Sequence, residues 1–219
     1  MNSETLSFLI TWTPFLLQGF MWNIFIAICA VTLGSLLGAG LAWLRVRKSG
    51  AIATAAEQLS TFFRGVPTLA LIFYAVFVLP TEFSLGSTVV HIPQWSKAVI
   101  GLAAAPLSFT SESLVVAYRA WQRGDIGAAL LFIPTWINVF LISFVASSAS
   151  SLVGVSELVS RCNTVIAATG TSVMVPVYLY CSLYFVLTSL LFTFLIRRFK
   201  DSAFMAGVHA RLTQQTCRN

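Results

Sequence analysis

Three long stretches of this 219-residue chain carry no charge: between Glu4 and Arg45, between Asp125 and Glu157, and between Arg161 and Arg197. A helix crosses the hydrocarbon core of a bilayer with about 20 apolar residues, and each stretch is longer than that. Strands of a membrane barrel alternate polar and apolar positions over about ten residues, whereas residues 24–44 and 177–196 are apolar nearly all round. The pattern predicts an all-α integral membrane protein with about five transmembrane helices, over residues 20–44, 67–79, 98–118, 128–148 and 175–196. The second is short, and needs its flanks, sheltering neighbours or a thinned bilayer to serve as a span. Residues 1–15, amphipathic over 4–12 and interrupted by Pro14, read as an interfacial lead. Residues 16–199 read as the transmembrane domain and 200–219 as a tail.

Two connecting segments have the periodicity of surface helices. In AIATAAEQLSTFF, Ile52, Ala55, Leu59, Phe62 and Phe63 recur at helical spacing opposite Thr54, Glu57, Gln58 and Thr61. In ELVSRCNTVI, Leu158, Cys162 and Val165 share a face, and Glu157 and Arg161 stand at the i,i+4 spacing of an ion pair. Both are expected along the membrane boundary. Residues 80–97 read as a loop too short for a receptor domain.

Composition agrees with the pattern: 58% hydrophobic and 9% charged residues, with a mean hydropathy of +0.87, against about 25% charged in a soluble domain. The net charge of +6 does not point to nucleic acid. The basic residues stand beside apolar segments, at Arg45/Arg47/Lys48, Arg119/Arg123 and Arg197/Arg198/Lys200, with no basic stripe interleaved with aromatics. With the N-terminus outside, eleven of the thirteen Lys and Arg fall inside and only Lys97 and Arg161 outside. That asymmetry predicts an N-out, C-in topology, in a bacterium an inner-membrane, multi-pass protein. The start MNSETLSFLI opens with an acid and lacks a basic n-region, so no cleaved signal peptide is expected. Cys29, Cys162, Cys181 and Cys217 give no framework, and are expected as isolated thiols that behave as small hydrophobes.

Candidate chemistry is sparse. Glu112 lies within the third span, seven residues before Arg119 on the same helical face. An ionised carboxylate is costly at membrane depth. It is therefore expected either to be neutralised by Arg119 or Arg64, or to line a pathway. Arg64, in Phe63-Arg64-Gly65-Val66-Pro67, anchors a turn or flanks that pathway; Gly65 breaks the helix and Pro67 restarts it at a first helical position. Ser143 and Ser147, with Ser150 and Ser151, either line a passage or pack tightly against another helix. Gly34 and Gly38 allow close approach of a helix, from this chain or another subunit. Paired acids, a nucleophile with a base and metal-type spacings are all missing, so no catalytic or metal-binding role is expected.

Several phrases resemble the permease subunits of ABC importers for polar amino acids. They are Leu16-Leu17-Gln18-Gly19-Phe20 followed by Gly34, Gly38 and Arg45; STFFRGVPTLALIFYAVFVLP from Ser60; Glu112, Gly124, Ala128 and Ala129 at the family's spacing; SSLVGVSELVSRCNTV from Ser150; and the closing run from Leu195. The resemblance implies a type I importer core that works as a dimer with a second permease subunit, identical or different. It further implies two cytoplasmic ATPase subunits, which carry the ATP and Mg, and a periplasmic solute-binding protein; no cofactor is expected in this chain. It assigns the ATPase contact to Gly124, Asp125, Gly127, Ala128 and Ala129, where the family has E-A-A-x-x-x-G. Here Gly127 replaces the Glu and Ile133 the Gly, and only Leu130, Leu131 and Phe132 follow where the family carries a longer stretch. Residues 105–109 also depart from the family's N-S-G-A-Y. The same residues leave open a divergent, non-transporting or accessory paralogue that has lost ATPase coupling.

Overall fold

The computed structural model describes residues 3–47, 49–85 and 88–200. Lys48, His209, Cys217 and the tail from Asp201 onward lie outside them. Helix α1 (Ser3–Arg47) is 45 residues long and about 67 Å from end to end at 1.5 Å per residue. It runs through Pro14 without a break, so the expected lead and the first span form one rod. Pro14 removes one ladder bond, while the neighbouring Thr13 hydroxyl donates to the Leu9 carbonyl at 2.8 Å and Leu9 and Leu16 stay buried.

Helices α2 (Ala51–Gly65) and α3 (Thr68–Val78) meet at 102°. The 11 residues of α3 cover only about 16 Å, half a bilayer, so α3 alone is too short to cross, and only with α2, across the sharp bend, does the pair reach the length and hydropathy of a span. Pro67 occupies the N-cap of α3, one position before the first helical residue expected. The expected loop over residues 80–97 contains an antiparallel hairpin, β1 (Glu82–Leu85) and β2 (Thr88–His91), with Phe83 opposite Val90. Helices α4 (Gln94–Leu102) and α5 (Ala104–Gln122) join at Ala103 into one span. A short α6 (Ile126–Leu130) leads into α7 (Phe132–Ala146), which continues as a 3-10 segment, Ser147–Val153. Helix α8 (Leu158–Thr169) and the long α9 (Met174–Lys200) complete the described residues.

Four helical runs, 6–47, 94–122, 126–153 and 171–195, are long and apolar enough to cross a membrane, and the bent α2–α3 pair, counted as one span, is a fifth. The all-α, about five-span fold class therefore stands.

Glycine sets the closest approach in the bundle. A Cβ on Gly34 would lie 2.4 Å from the Ala103 carbonyl oxygen, and one on Gly38 2.4 Å from that of Leu107. Both glycines are thus consumed by α1–α5 packing within this chain. Around that seam, Ile26, Ala30, Ile72, Val76, Val99 and Leu102 form one core. Phe20, Phe144, Leu158, Val165 and Val177 form a second, where α1, α7, α8 and α9 converge. Outward, Leu179, Leu183, Leu187 and Leu190 of α9 are exposed, as suits a lipid-facing helix. On α2 the apolar face is also exposed at Ile52, Leu59 and Phe62, while Ala56 and Ser60 face the bundle; small residues are what that close contact admits.

Candidate functional site at the two ends of the bundle

One end of the bundle carries the α1–α2 turn and α6; the other carries the hairpin and α8. At the α6 end, Glu112 is paired, though with neither Arg119 nor Arg64. Arg45 Nη1 donates to Glu112 Oε1 at 2.9 Å and to Ser111 Oγ at 3.3 Å, and Nη2 donates to Glu112 Oε2 at 3.5 Å. Glu57 of α2 stands 3.6 Å from the same guanidinium. The reason is geometric: α1 and α5 run side by side from the Gly34 and Gly38 contacts onward, which delivers the last turn of α1 to Glu112. The Arg45 side chain is 8% exposed and that of Glu112 29%, so this acid closes a three-element junction. Arg64 and Arg119 are exposed.

The next segment forms a single short turn. Gly124 has φ +80°, a conformation glycine adopts freely. Asp125 caps α6, its Oδ1 accepting from the Ala128 amide at 2.9 Å. Gly127, Ala128 and Ala129 make up the body of this five-residue helix, and Leu131 carries the chain straight into α7.

Ser147 is hydrogen-bonded to α1. Asn23 Nδ2 donates to Ser147 Oγ at 3.0 Å, and Ser147 Oγ donates to the Phe144 carbonyl at 2.6 Å. Ser143 is buried and its hydroxyl has no partner among the described residues. Asn23 and Arg45 are separated by about 33 Å along α1, so Ser147 and Glu112 lie at different levels of the bundle.

Asn23 anchors the α8 end. Its Oδ1 accepts from the Leu158 amide at 3.1 Å and its Nδ2 donates to Glu157 Oε2 at 2.8 Å. Glu157 does not pair with Arg161; it caps α8, accepting from Ser160 N at 2.9 Å and Val159 N at 3.1 Å. A carboxylate at a helix N-terminus is favoured by the free amides and the dipole. Arg161 turns toward α1, where Nη1 donates to the Phe15 carbonyl at 2.9 Å and to Gln18 Oε1 at 2.7 Å, with its guanidinium 4.7 Å from the Phe15 ring centroid. Lys97, also buried, donates to the Leu79 carbonyl at 2.8 Å, closing the C-terminus of α3. Sequence reasoning missed Asn23; the available signal was an amide within an otherwise apolar span. It also missed a disulfide, since Cys162 of α8 and Cys181 of α9 are paired. The 19-residue separation hid a contact that exists because α9 folds back beneath α8.

Burial pushes the Glu157 carboxyl above its ordinary value, an effect partly offset by the Ser160, Val159 and Leu158 amides and by Asn23. With the folded-state pKa raised, the ionised form is the costly one. Stability from this group is full below the unfolded pKa of about 4.3 and is lost as pH rises through the raised value. Thermal unfolding in detergent should therefore fall in that window, and Glu157→Gln should flatten this component; an unchanged pH profile in the variant would refute the assignment.

Over 91% of its length the chain superposes on 99% of a chain from a solved structure, described as the crystal structure of an amino acid ABC transporter with histidines, at a TM-score of 0.73 and 19% identity. The fold is that of an ABC transporter permease. In sequence, this permease-fold chain is 28% identical over 130 residues to a probable amino-acid permease protein, YxeN, of Bacillus subtilis; the match spans 59% of this chain and 57% of that protein. No protein-family model matches the sequence. Helix α6 opens the fourth helical run, directly after the third, where the resemblance assigns the ATPase contact.

Proposed function

We propose that this multi-pass membrane protein is the permease subunit of an ATP-driven ABC importer for polar amino acids. The observation that carries the reading is the match over 91% of the chain to an amino acid ABC transporter chain, supported by the 130-residue similarity to a probable amino-acid permease. The chain sits N-out, C-in in a bacterial inner membrane and forms the translocation pathway with a second permease subunit. ATP and Mg are bound and used by cytoplasmic ATPase subunits, and a periplasmic solute-binding protein delivers the amino acid. The Cys162–Cys181 disulfide supports the orientation, because such bonds persist on the oxidising side of the membrane.

In this reading α6 is the docking element, reduced to the Asp125-capped turn. The exposed Gly124, Asp125 and Ile126 at its start support that role, and a partner permease with a full-length loop supplies the remaining coupling. The test is to tag the chain, extract it in mild detergent and identify what co-purifies. Stoichiometric recovery of an ATPase subunit is expected; recovery of the chain alone, or with a second permease only, would overturn ATPase coupling and leave an accessory paralogue. Lengthening the segment after Ala129 together with Gly127→Glu is expected to raise amino-acid uptake in reconstituted vesicles. Unchanged uptake would show that α6 does not limit coupling.

A further inference from the structure

Helices α1, α7 and α9 do not close on one another at the α6 end. They leave a groove of about 500 Å³ lined by Ile28, Val31 and Thr32 of α1, Trp136 and Phe140 of α7, and Leu195 of α9. Its depth is held by the Trp136 indole, whose Nε1 donates to Ser35 Oγ at 2.7 Å and so fixes the ring against α1. Phe192 and Leu195 line the groove from α9, and Arg198 follows Leu195 by three residues, on the adjoining side of the helix, and is exposed. It pairs with no acid among the described residues.

We propose that this groove is a binding site for one anionic phospholipid, its acyl chain between α1, α7 and α9 and its phosphate on Arg198. Two features select that occupant. A transmembrane helix about 10 Å across fills roughly 420 Å³ per turn, so a groove of about 500 Å³ receives little more than one turn of a helix but suits a narrow, flexible hydrocarbon chain. A second helix would also not explain the unpaired Arg198 one turn beyond Leu195, whereas a cation at the end of a span attracts an anionic headgroup. The site depends on the chain lying in a bilayer and is independent of whether it transports.

The test takes the full-length protein from bilayers of equal parts phosphatidylglycerol and phosphatidylethanolamine into mild detergent, and measures retained lipid by intact-protein mass spectrometry. One retained phosphatidylglycerol per chain is expected, unaffected by added inorganic phosphate. Arg198→Gln should cut phosphatidylglycerol retention about fivefold, as expected for one surface-proximal cation, and leave phosphatidylethanolamine unchanged. Ile137 of α7 also lines the groove, and Ile137→Trp, which fills it, should abolish retention while the protein remains monodisperse. Equal retention of the two lipids, or full retention by Arg198→Gln, would overturn the proposal. So would a cross-link from position 137 to a second protein chain in the membrane, since it would place a subunit where the lipid belongs.

Discussion

Replacing Arg45 with methionine is expected to lower stability by about 2–3 kcal/mol, and adding Glu112→Met to recover most of the loss. Removing one partner of a fully buried ion pair costs about 3–5 kcal/mol because an uncompensated charge remains. Here the figure is reduced because the Glu112 side chain keeps 29% of its exposure, and water screens what the lost guanidinium no longer neutralises. The double variant leaves no charge at the α1–α5 contact, and apolar replacements of buried pairs are often close to neutral. Glu57, 64% exposed at 3.6 Å, holds the guanidinium only weakly, so Glu57→Gln should stay within about 0.5 kcal/mol of the parent. Thermal unfolding in detergent, run as a double-mutant cycle, separates the cases. If the double variant is no more stable than Arg45→Met, the pair is not what joins the ends of α1 and α5.

Gly38→Leu is expected to be at least as damaging, at about 3 kcal/mol or more, the upper range for overpacking a core. The added Cβ would stand 2.4 Å from the Leu107 carbonyl oxygen and 3.1 Å from the Ser111 amide nitrogen. Those are backbone atoms of a regular helix and cannot swing aside, so α1 and α5 must separate along the seam. Separation also breaks the Arg45–Glu112 pair further along the same contact. Gly34→Leu should behave likewise, for the same reason at Ala103 and Pro106. Gly40→Ala is the control: a Cβ there meets nothing within 4 Å, and removing a mid-helix glycine is worth about 0.5–1 kcal/mol in the other direction. Expression as a monodisperse species and the midpoint of thermal inactivation report all three. Tolerance of leucine at position 38 would show that the seam is not the rigid contact of the fold.

The comparison of Gly34, Gly38 and Gly40 also shows where sequence reading reaches its limit. All three have the small side chain that permits close approach, and only the placement of α5 distinguishes the two that are used from the one that is not. Glu112 is a parallel case. Its need for a partner was legible, because a carboxylate at membrane depth has few alternatives. Its partner was not: Arg119 is near in sequence, whereas Arg45 is brought near by the α1–α5 contact. Glu157 and Arg161 had ion-pair spacing, yet the free amides at the start of α8 took the carboxylate and α1 took the guanidinium. Local spacing lists possible partners, and tertiary packing chooses among them.

What the sequence by itself determined was the membrane and the class of fold. Those follow from run length, hydropathy and charge placement, quantities that each segment carries independently of its neighbours. The tertiary structure alone decided that α2 and α3 meet at a sharp bend, that Asn23 joins α1 to α8, that Cys162 and Cys181 are bonded, and that α1, α7 and α9 leave a groove. Each of these depends on the angle and distance between helices far apart in the chain, set by how side chains of different elements fill shared space, which no segment encodes alone.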